Sequence, residues 1–210
     1  MSAESAIGVS RADAGIIIIH PGWVRVCHWI NALAILVMIG SGWQIYDASP
    51  LFRSLEFSKH IALGQWLGGA LLWHFAAMWV LVVNGIIYVS LGLATGRFRR
   101  KLLPIYPSEV LSDAKAALTF KLAHDDLSHY NAVQKVLYNG VILCGVLIVL
   151  SGLSIWKPVQ FQELTTLFGG YDFARYVHFF AMSAIVGFLA VHVALALLVP
   201  KSLRAMITGR

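Results

Sequence analysis

Along the 210-residue chain, apolar residues gather into four long runs separated by polar, proline-containing breaks. The runs cover about 27–46, 61–92, 132–156 and 173–199. A hydrocarbon core about 30 Å thick needs roughly 20 apolar residues per helix, so each run predicts a membrane-spanning helix. The second run is longer than a bilayer requires and is expected to tilt or to project beyond it. Asp47, Pro50 and Arg53 break the first connection, and Pro104 and Pro107 open a long second loop. Pro158 closes the third run and Pro200 the fourth. No internal repeat is visible. The pattern predicts an all-α integral membrane protein, a four-transmembrane-helix bundle formed by residues 23–210 and preceded by a polar segment, 1–22. The isoleucines at 16–19 are too short a run for a signal-peptide core, so that segment is expected to be retained.

Composition strengthens this reading. The chain is 59% hydrophobic and 12% charged, with a mean hydropathy of +0.74. Soluble domains are roughly 45–50% apolar and about 25% charged. A small globule cannot hide that excess, which argues against a disordered chain, a disulfide scaffold and an ordinary cytosolic enzyme. Cys27 and Cys144 offer no framework of spacings and read as packing residues.

The net charge is +6, but the cations cluster in the connections and not in a nucleic-acid footprint, so no nucleic-acid partner is expected. Arg11 and Arg25 precede the first span. Arg97, Arg99, Arg100, Lys101, Lys115, Lys121 and Lys135 follow the second, and Lys201, Arg204 and Arg210 follow the fourth. The opposite loops carry Arg53, Lys59, Lys157 and Arg175. By the positive-inside tendency, both termini and the second loop are cytoplasmic, which gives an N-in/C-in protein of the bacterial inner membrane.

Ionisable side chains within a bilayer are costly and usually functional. Four of the eight histidines lie in or at the edge of the apolar runs: His28, His74, His178 and His192. His178 and His192 are fourteen residues apart. On a helix this brings them about 40° from a common azimuth and about 21 Å apart along the axis. One helix face therefore offers an imidazole near each side of the membrane. His28 opens a span from the cytoplasmic side and matches His192 in depth, whereas His74 matches His178 in the outer half. Two pairs, His28–His192 and His74–His178, are the result. Haem iron takes imidazole axially, and a flat macrocycle suits a gap between apolar helices. Gly40, Gly42, Gly145, Gly152 and Gly187 would let such a ring approach the backbone. No CxxCH is present, so two non-covalent haem b groups are expected, ligated by those four histidines. Zinc fits less well, because the ligands are dispersed over separate helices without Cys or carboxylate company. With both axial positions filled, electron transfer is favoured over oxygen activation. His60 rivals His74, being also fourteen residues away from it, but stands beside Lys59 and reads as exposed. His20, His124 and His129 lie in polar stretches and are expected to be solvated. His129, Asn131 and Gln134 stand at the cytoplasmic start of the third span, where a quinone headgroup would need a hydrogen-bond donor.

The stretch VRVCHWINA followed by GSGW resembles the first-helix motif of bacterial cytochrome b561-type subunits of nickel–iron hydrogenases and respiratory formate dehydrogenases. HYNAVQKVLYNGVILCGVLIVLSGLSIWKP is similar to the third-helix region of formate dehydrogenase gamma subunits, and the two late histidines with their basic exit match the same pattern. The likeness covers most of residues 23–209 and is weakest in the second helix. It implies a di-haem cytochrome b carrying electrons from a periplasmic catalytic or iron–sulfur subunit to quinone near the cytoplasmic face. It also implies His28, His74, His178 and His192 as axial ligands, a quinone pocket lined by Asn131 and Gln134, and Arg25 either beside a haem propionate or simply at the membrane surface.

Two other readings compete. A self-contained reductase would take electrons from a small donor such as superoxide, steered by Arg53, Lys59 and Arg175. An anchor or transporter would use its histidines only for packing or proton relay. The second helix and Trp43, Trp66, Trp73 and Trp79 offer surfaces for lipid or for a homo-oligomer.

Overall fold

The computed structural model describes residues 18–119 and 130–209, and among these it contains helices and no strands. Four helices are long and apolar enough to cross a membrane: α1 (Gly22–Ala48), α2 (Leu67–Ala94), α5 (Ala132–Trp156) and α7 (Tyr171–Leu198). Four short ones lie between or after them: α3 (Arg97–Lys101), α4 (Pro107–Leu118), α6 (Gln162–Leu167) and α8 (Pro200–Thr208). The first and third apolar runs fall within α1 and α5, and the fourth within α7 except for its last residue, Val199.

The second run does not begin its helix where hydropathy places it. Residues 61–66 form a turn, with Gly64 at φ 109° and Gln65 at φ 61°. These left-handed residues cannot continue a right-handed helix. The turn folds onto α1, where Leu63 N–H donates to Gly40 O at 2.9 Å. A Cβ on Gly40 would stand 3.3 Å from Ile61 O and Leu63, so this glycine admits a loop and not a cofactor ring.

Asn131 and Gln134 start α5 with a reciprocal capping box. Asn131 Oδ1 accepts from the Gln134 N–H (2.8 Å) and Gln134 Oε1 from the Asn131 N–H (3.1 Å). The basic second loop folds back on the same helix start. The Ala132 N–H donates to Asp113 Oδ2 (2.7 Å) and Lys135 Nζ to Pro104 O (3.1 Å). At the chain ends, the Ile19 N–H donates to Gly209 O (2.8 Å), and Arg25 Nη1 donates to Ile207 O (2.7 Å). The two terminal segments thus interlock at the end that the charge distribution marks as cytoplasmic, here called the inner end.

The backbone packs closely within α1/α2 and within α5/α7, and the two pairs make few close approaches to each other. Small buried residues set those contacts: Ala34 and Ser41 on α1, Ala70 and Ala77 on α2, Ser151 and Ser154 on α5, Ala174 and Ala181 on α7. This arrangement reveals a repeat that the sequence alone does not advertise. A shift of 110 residues carries Ser41–Gly42 onto Ser151–Gly152, and a shift of 104 carries Ala70, His74 and Ala77 onto Ala174, His178 and Ala181. Helices α2 and α7 are both 28 residues long, with ends matched at the second shift. The bundle is therefore two similar helix pairs facing each other across a gap. Leu33, Leu72, Leu143 and Leu198 are exposed on its outside, as a lipid-facing surface requires.

Candidate functional site

Two pairs of imidazoles meet across the gap, one near each end. In the outer half His74 of α2 faces His178 of α7, with ring centroids 6.5 Å apart and planes at 59°. At the inner end His28 of α1 faces His192 of α7, at 6.0 Å and 55°. Among the described residues no group of three or more His, Cys, Asp or Glu side chains converges. The donor sets are pairs of imidazoles, suited to an ion whose remaining ligands come with it.

The outer rings are held by the repeated Ser–Gly step. Ser41 Oγ lies 3.0 Å from His74 Nδ1, and Ser151 Oγ lies 3.1 Å from His178 Nδ1. Each hydroxyl spends its one hydrogen on the carbonyl a turn back, Ser41 on Val37 O at 2.6 Å and Ser151 on Leu147 O at 2.8 Å. Each serine therefore accepts from the imidazole, which fixes the Nδ1–H tautomer and leaves Nε2 with a free lone pair. The following glycines make room: a Cβ on Gly42 would sit 3.6 Å from His74 Cε1, and one on Gly152 3.2 Å from His178 Cε1. So Gly42 and Gly152, expected to admit a flat ring, admit the imidazoles, while Gly145 and Gly187 do face open space. Aromatic rings close the outer end, Phe75 against Trp156 at 5.1 Å and Tyr46 against Phe179 at 5.2 Å.

The inner pair is built differently. His28 Nδ1 is buried without a hydrogen-bond partner. Trp29 meets the His28 ring edge-on at 5.1 Å, and Phe188 stacks on His192 at 5.4 Å. Beside them Arg25 uses Nη1 on Ile207 O, while its Nε is buried and unpartnered. His20, expected to be solvated, is instead buried where its segment meets Gly209, with Arg97 Nη2 3.4 Å from its Nδ1. Burial, then Arg97, the neighbouring His28 imidazole, Lys101 and Arg25, push His20 down to about 4, so it is neutral at physiological pH.

Other expected residues are placed as follows. Asn131 and Gln134 spend their carbonyl oxygens on the α5 cap and keep their amide NH2 groups. His60 is exposed in the turn before α2. Arg175 donates to Ser49 O and Oγ and lies 4.0 Å from Asp172. His124, His129 and Arg11 lie outside the described residues. Sequence reasoning missed Ser41 and Ser151. Their signal is the recurrence of Ser–Gly in two apolar runs, each opposed to a histidine in the next long apolar helix.

A metal–imidazole nitrogen bond of about 2.0–2.1 Å puts the ring centres of two axial ligands about 6.3 Å apart, once the nitrogen-to-centre distance is added on each side. The two observed separations bracket that value. The paired rings, the free Nε2 atoms, the orphaned nitrogens of His28 and Arg25, and the gap between helix pairs all fit haem. Comparison with known proteins agrees. Residues 19–209 match the family described as prokaryotic cytochrome b561. The chain is also 52% identical over 191 residues, 91% of its own length and 96% of the relative's, to a protein of Azospira oryzae provisionally named protein-methionine-sulfoxide reductase subunit YedZ1. This chain belongs to the prokaryotic cytochrome b561 family, multi-pass b-type cytochromes of the bacterial inner membrane.

Proposed function

We propose that the chain is the membrane subunit of an extracytoplasmic oxidoreductase, carrying electrons across the bilayer between the quinone pool and that partner through two bis-histidine haem b sites. The observation that carries this reading is the pair of imidazole couples at 6.5 and 6.0 Å, both using α7. Bound haem b would supply one-electron transfer between the two ends of the bundle. The protein's own contributions are specific. His28 with His192 and His74 with His178 would hold the two haems, each through a pair of imidazoles, which would favour electron transfer over oxygen chemistry. Ser41 and Ser151 hold the outer imidazoles in the ligating tautomer and raise their basicity. Arg25 offers an unpaired buried N–H to a propionate at the inner end. The amide groups of Asn131 and Gln134 stand near that end for a quinone.

Sequence reasoning expects electrons to enter from the outer partner. The Azospira relative is named as a reductase subunit, and a reductase consumes electrons. We therefore favour outward flow, in which a quinol is oxidised at the inner end and releases two protons there, and its two electrons leave one at a time toward the partner. The partner, a catalytic or iron–sulfur subunit, holds the substrate chemistry.

The test is a pyridine haemochrome assay on the detergent-purified chain, calibrated against protein, followed by addition of duroquinol. Two b haems per chain, reduced by the quinol, support the proposal. One haem or none refutes the double pairing. A protein that quinone oxidises but quinol never reduces restores inward flow.

A further inference from the structure

The outer and inner imidazoles are held by different means. His74 and His178 each have a serine hydroxyl on the neighbouring long helix. His28 has no such partner, since its Nδ1 is buried without a hydrogen bond among the described residues. Around His192 the structure shows ring contacts, with His28 and with Phe188. A ligating constellation needs its side chains held within about 0.5 Å of the productive geometry. The inner rings therefore require another source of order. Asn84 on α2, a helix that gives the inner pair no ligand, and Phe188 on α7 supply it.

Asn84 is buried inside the apolar span of α2, ten residues before its inner end at Ala94. An amide in such a place is costly unless its hydrogens are bonded. Both hydrogens are used. Asn84 Nδ2 donates to Cys27 O at 2.8 Å and to Asn31 Oδ1 at 2.7 Å. Cys27 and Asn31 are four residues apart on α1, and His28 lies on the turn between them. At about 100° per residue the two gripped residues stand about 40° apart around α1, and His28 about 60° beyond Asn31. The amide thus fixes the roll and the height of the one turn of α1 that carries His28. Phe188 lies one turn before His192 and stacks on it, with centroids 5.4 Å apart and planes at 13°, which sets the plane of that ring. The two residues are equivalent in the internal repeat, because the shift of 104 that relates α2 to α7 carries Asn84 onto Phe188. One position in each helix pair therefore serves the inner imidazole of that pair. It holds an amide where the histidine is on the neighbouring helix and a ring where the histidine is on the same helix.

We propose that Asn84 and Phe188 are positioning residues of the inner histidine pair, setting there the ring geometry that Ser41 and Ser151 set at the outer pair. The proposal rests on the haem reading above and adds two residues to it. The two ends then differ in kind. Serine hydroxyls act on the outer imidazole nitrogens and so tune ligand basicity as well as orientation. Asn84 acts through a backbone carbonyl and Phe188 through stacking, so both set geometry alone. An interhelical amide also serves as glue between α1 and α2. Glue requires only that the buried polar groups be paired, whereas positioning requires the bond to Cys27 O.

The experiment uses the haem-loaded, detergent-purified chain with Asn84→Leu, with Asn31→Leu and Asn84→Leu together, and with Phe188→Leu. The single change at Asn84 leaves Asn31 Oδ1 without its donor, and the double change removes that oxygen. The melting temperature is therefore expected to fall in the first and to recover in the second. Two readouts follow the site itself. The low-spin ferric resonance of a bis-imidazole haem reports the angle between its two ring planes, and transfer to apomyoglobin reports how fast haem is lost. His178→Ala, which removes the outer pair, identifies the inner resonance. Asn84→Leu and Phe188→Leu are each expected to shift the inner resonance and to speed loss of the inner haem about tenfold, with the outer resonance unchanged. The double variant is expected to keep both changes although it melts as the parent does. If Asn84→Leu fails to fold, the double variant carries the test. A double variant with a parent-like resonance and parent-like haem loss overturns the role of Asn84, which is then glue alone, and so does a double variant that fails to fold. A parent-like inner resonance in Phe188→Leu overturns the role of Phe188. If the parent itself holds fewer than two haems, the haem reading falls, and this proposal with it.

Discussion

Ser41→Ala isolates the hydrogen bond that orients an outer imidazole. Ser41 is fully buried, and its Oγ accepts from His74 Nδ1–H at 3.0 Å. Alanine keeps the Cβ and leaves α1 intact, because Val37 O loses only an extra bond from the hydroxyl. What remains is a buried N–H left with only the Met38 carbonyl as acceptor, so the cost falls toward the lower end of about 1–3 kcal/mol. The free ring recovers part of this by turning away from the ligating geometry, so the loss falls on haem affinity at the outer pair. Outer-shell partners of ligating histidines are typically worth 10–100-fold in affinity, which agrees with that range. Without the accepting hydroxyl the imidazole is also a poorer electron donor, so the ferric state is destabilised and the outer potential rises. A threefold difference between oxidation states is roughly 30 mV for a one-electron couple. The assay is the haem-to-protein ratio after gel filtration, followed by a potentiometric titration read in the visible band. The ratio is expected to fall from two toward one, and the remaining outer haem to titrate at a higher potential. The internal repeat predicts the same for Ser151→Ala acting on His178. Retention of two haems at unchanged potentials in both variants would refute the reasoning.

Further outcomes separate neighbouring positions. Gly152→Ala, whose Cβ would stand 3.2 Å from His178 Cε1, should displace that ring and lower haem retention, whereas Gly42→Ala, at 3.6 Å from His74, should be tolerated; the two haem ratios decide it. His178→Ala should leave one haem per chain and His60→Ala two, as counted by pyridine haemochrome. The pH dependence of the inner end follows from His20. In the unfolded chain it takes a proton below its ordinary 6.5, but in the fold only below about 4. Between those values the unfolded state binds more protons, so stability rises with pH and is lost on acidification through that window, by up to roughly 3 kcal/mol. Hydrogen-exchange protection at residues 18–22 and 200–209, referred to the intrinsic rate at each pH, should fall from pH 7 to pH 5. His20→Gln should flatten the profile, and an equally steep profile in that variant would count against the assignment.

How much was legible in the sequence depended on the range of the forces involved. Transfer of about 20 residues into hydrocarbon is a sum of local terms, so three of the four runs announced α1, α5 and α7, the last two to within two residues of their ends. Helical periodicity is also local, and it sufficed to put His178 and His192 on one side of a single helix. Depth from the basic loops then paired them with His74 and His28, as the structure brings them together. The start of α2 was not legible, because the left-handed turn at Gly64 and Gln65 is held by Gly40 of another helix. Nor was the burial of His20, which depends on residues 19–20 pairing with Gly209 at the far end of the sequence. Asn131 and Gln134 read as polar donors, and only the backbone geometry at α5 shows them completing a cap. The sequence by itself determined the number of spans and which histidines share a depth, because these depend on additive transfer energies and helix period. The tertiary structure alone decided the serine–histidine hydrogen bonds and the division into two facing helix pairs. Those features arise from contacts between residues far apart in the chain, where direction and distance matter and composition does not.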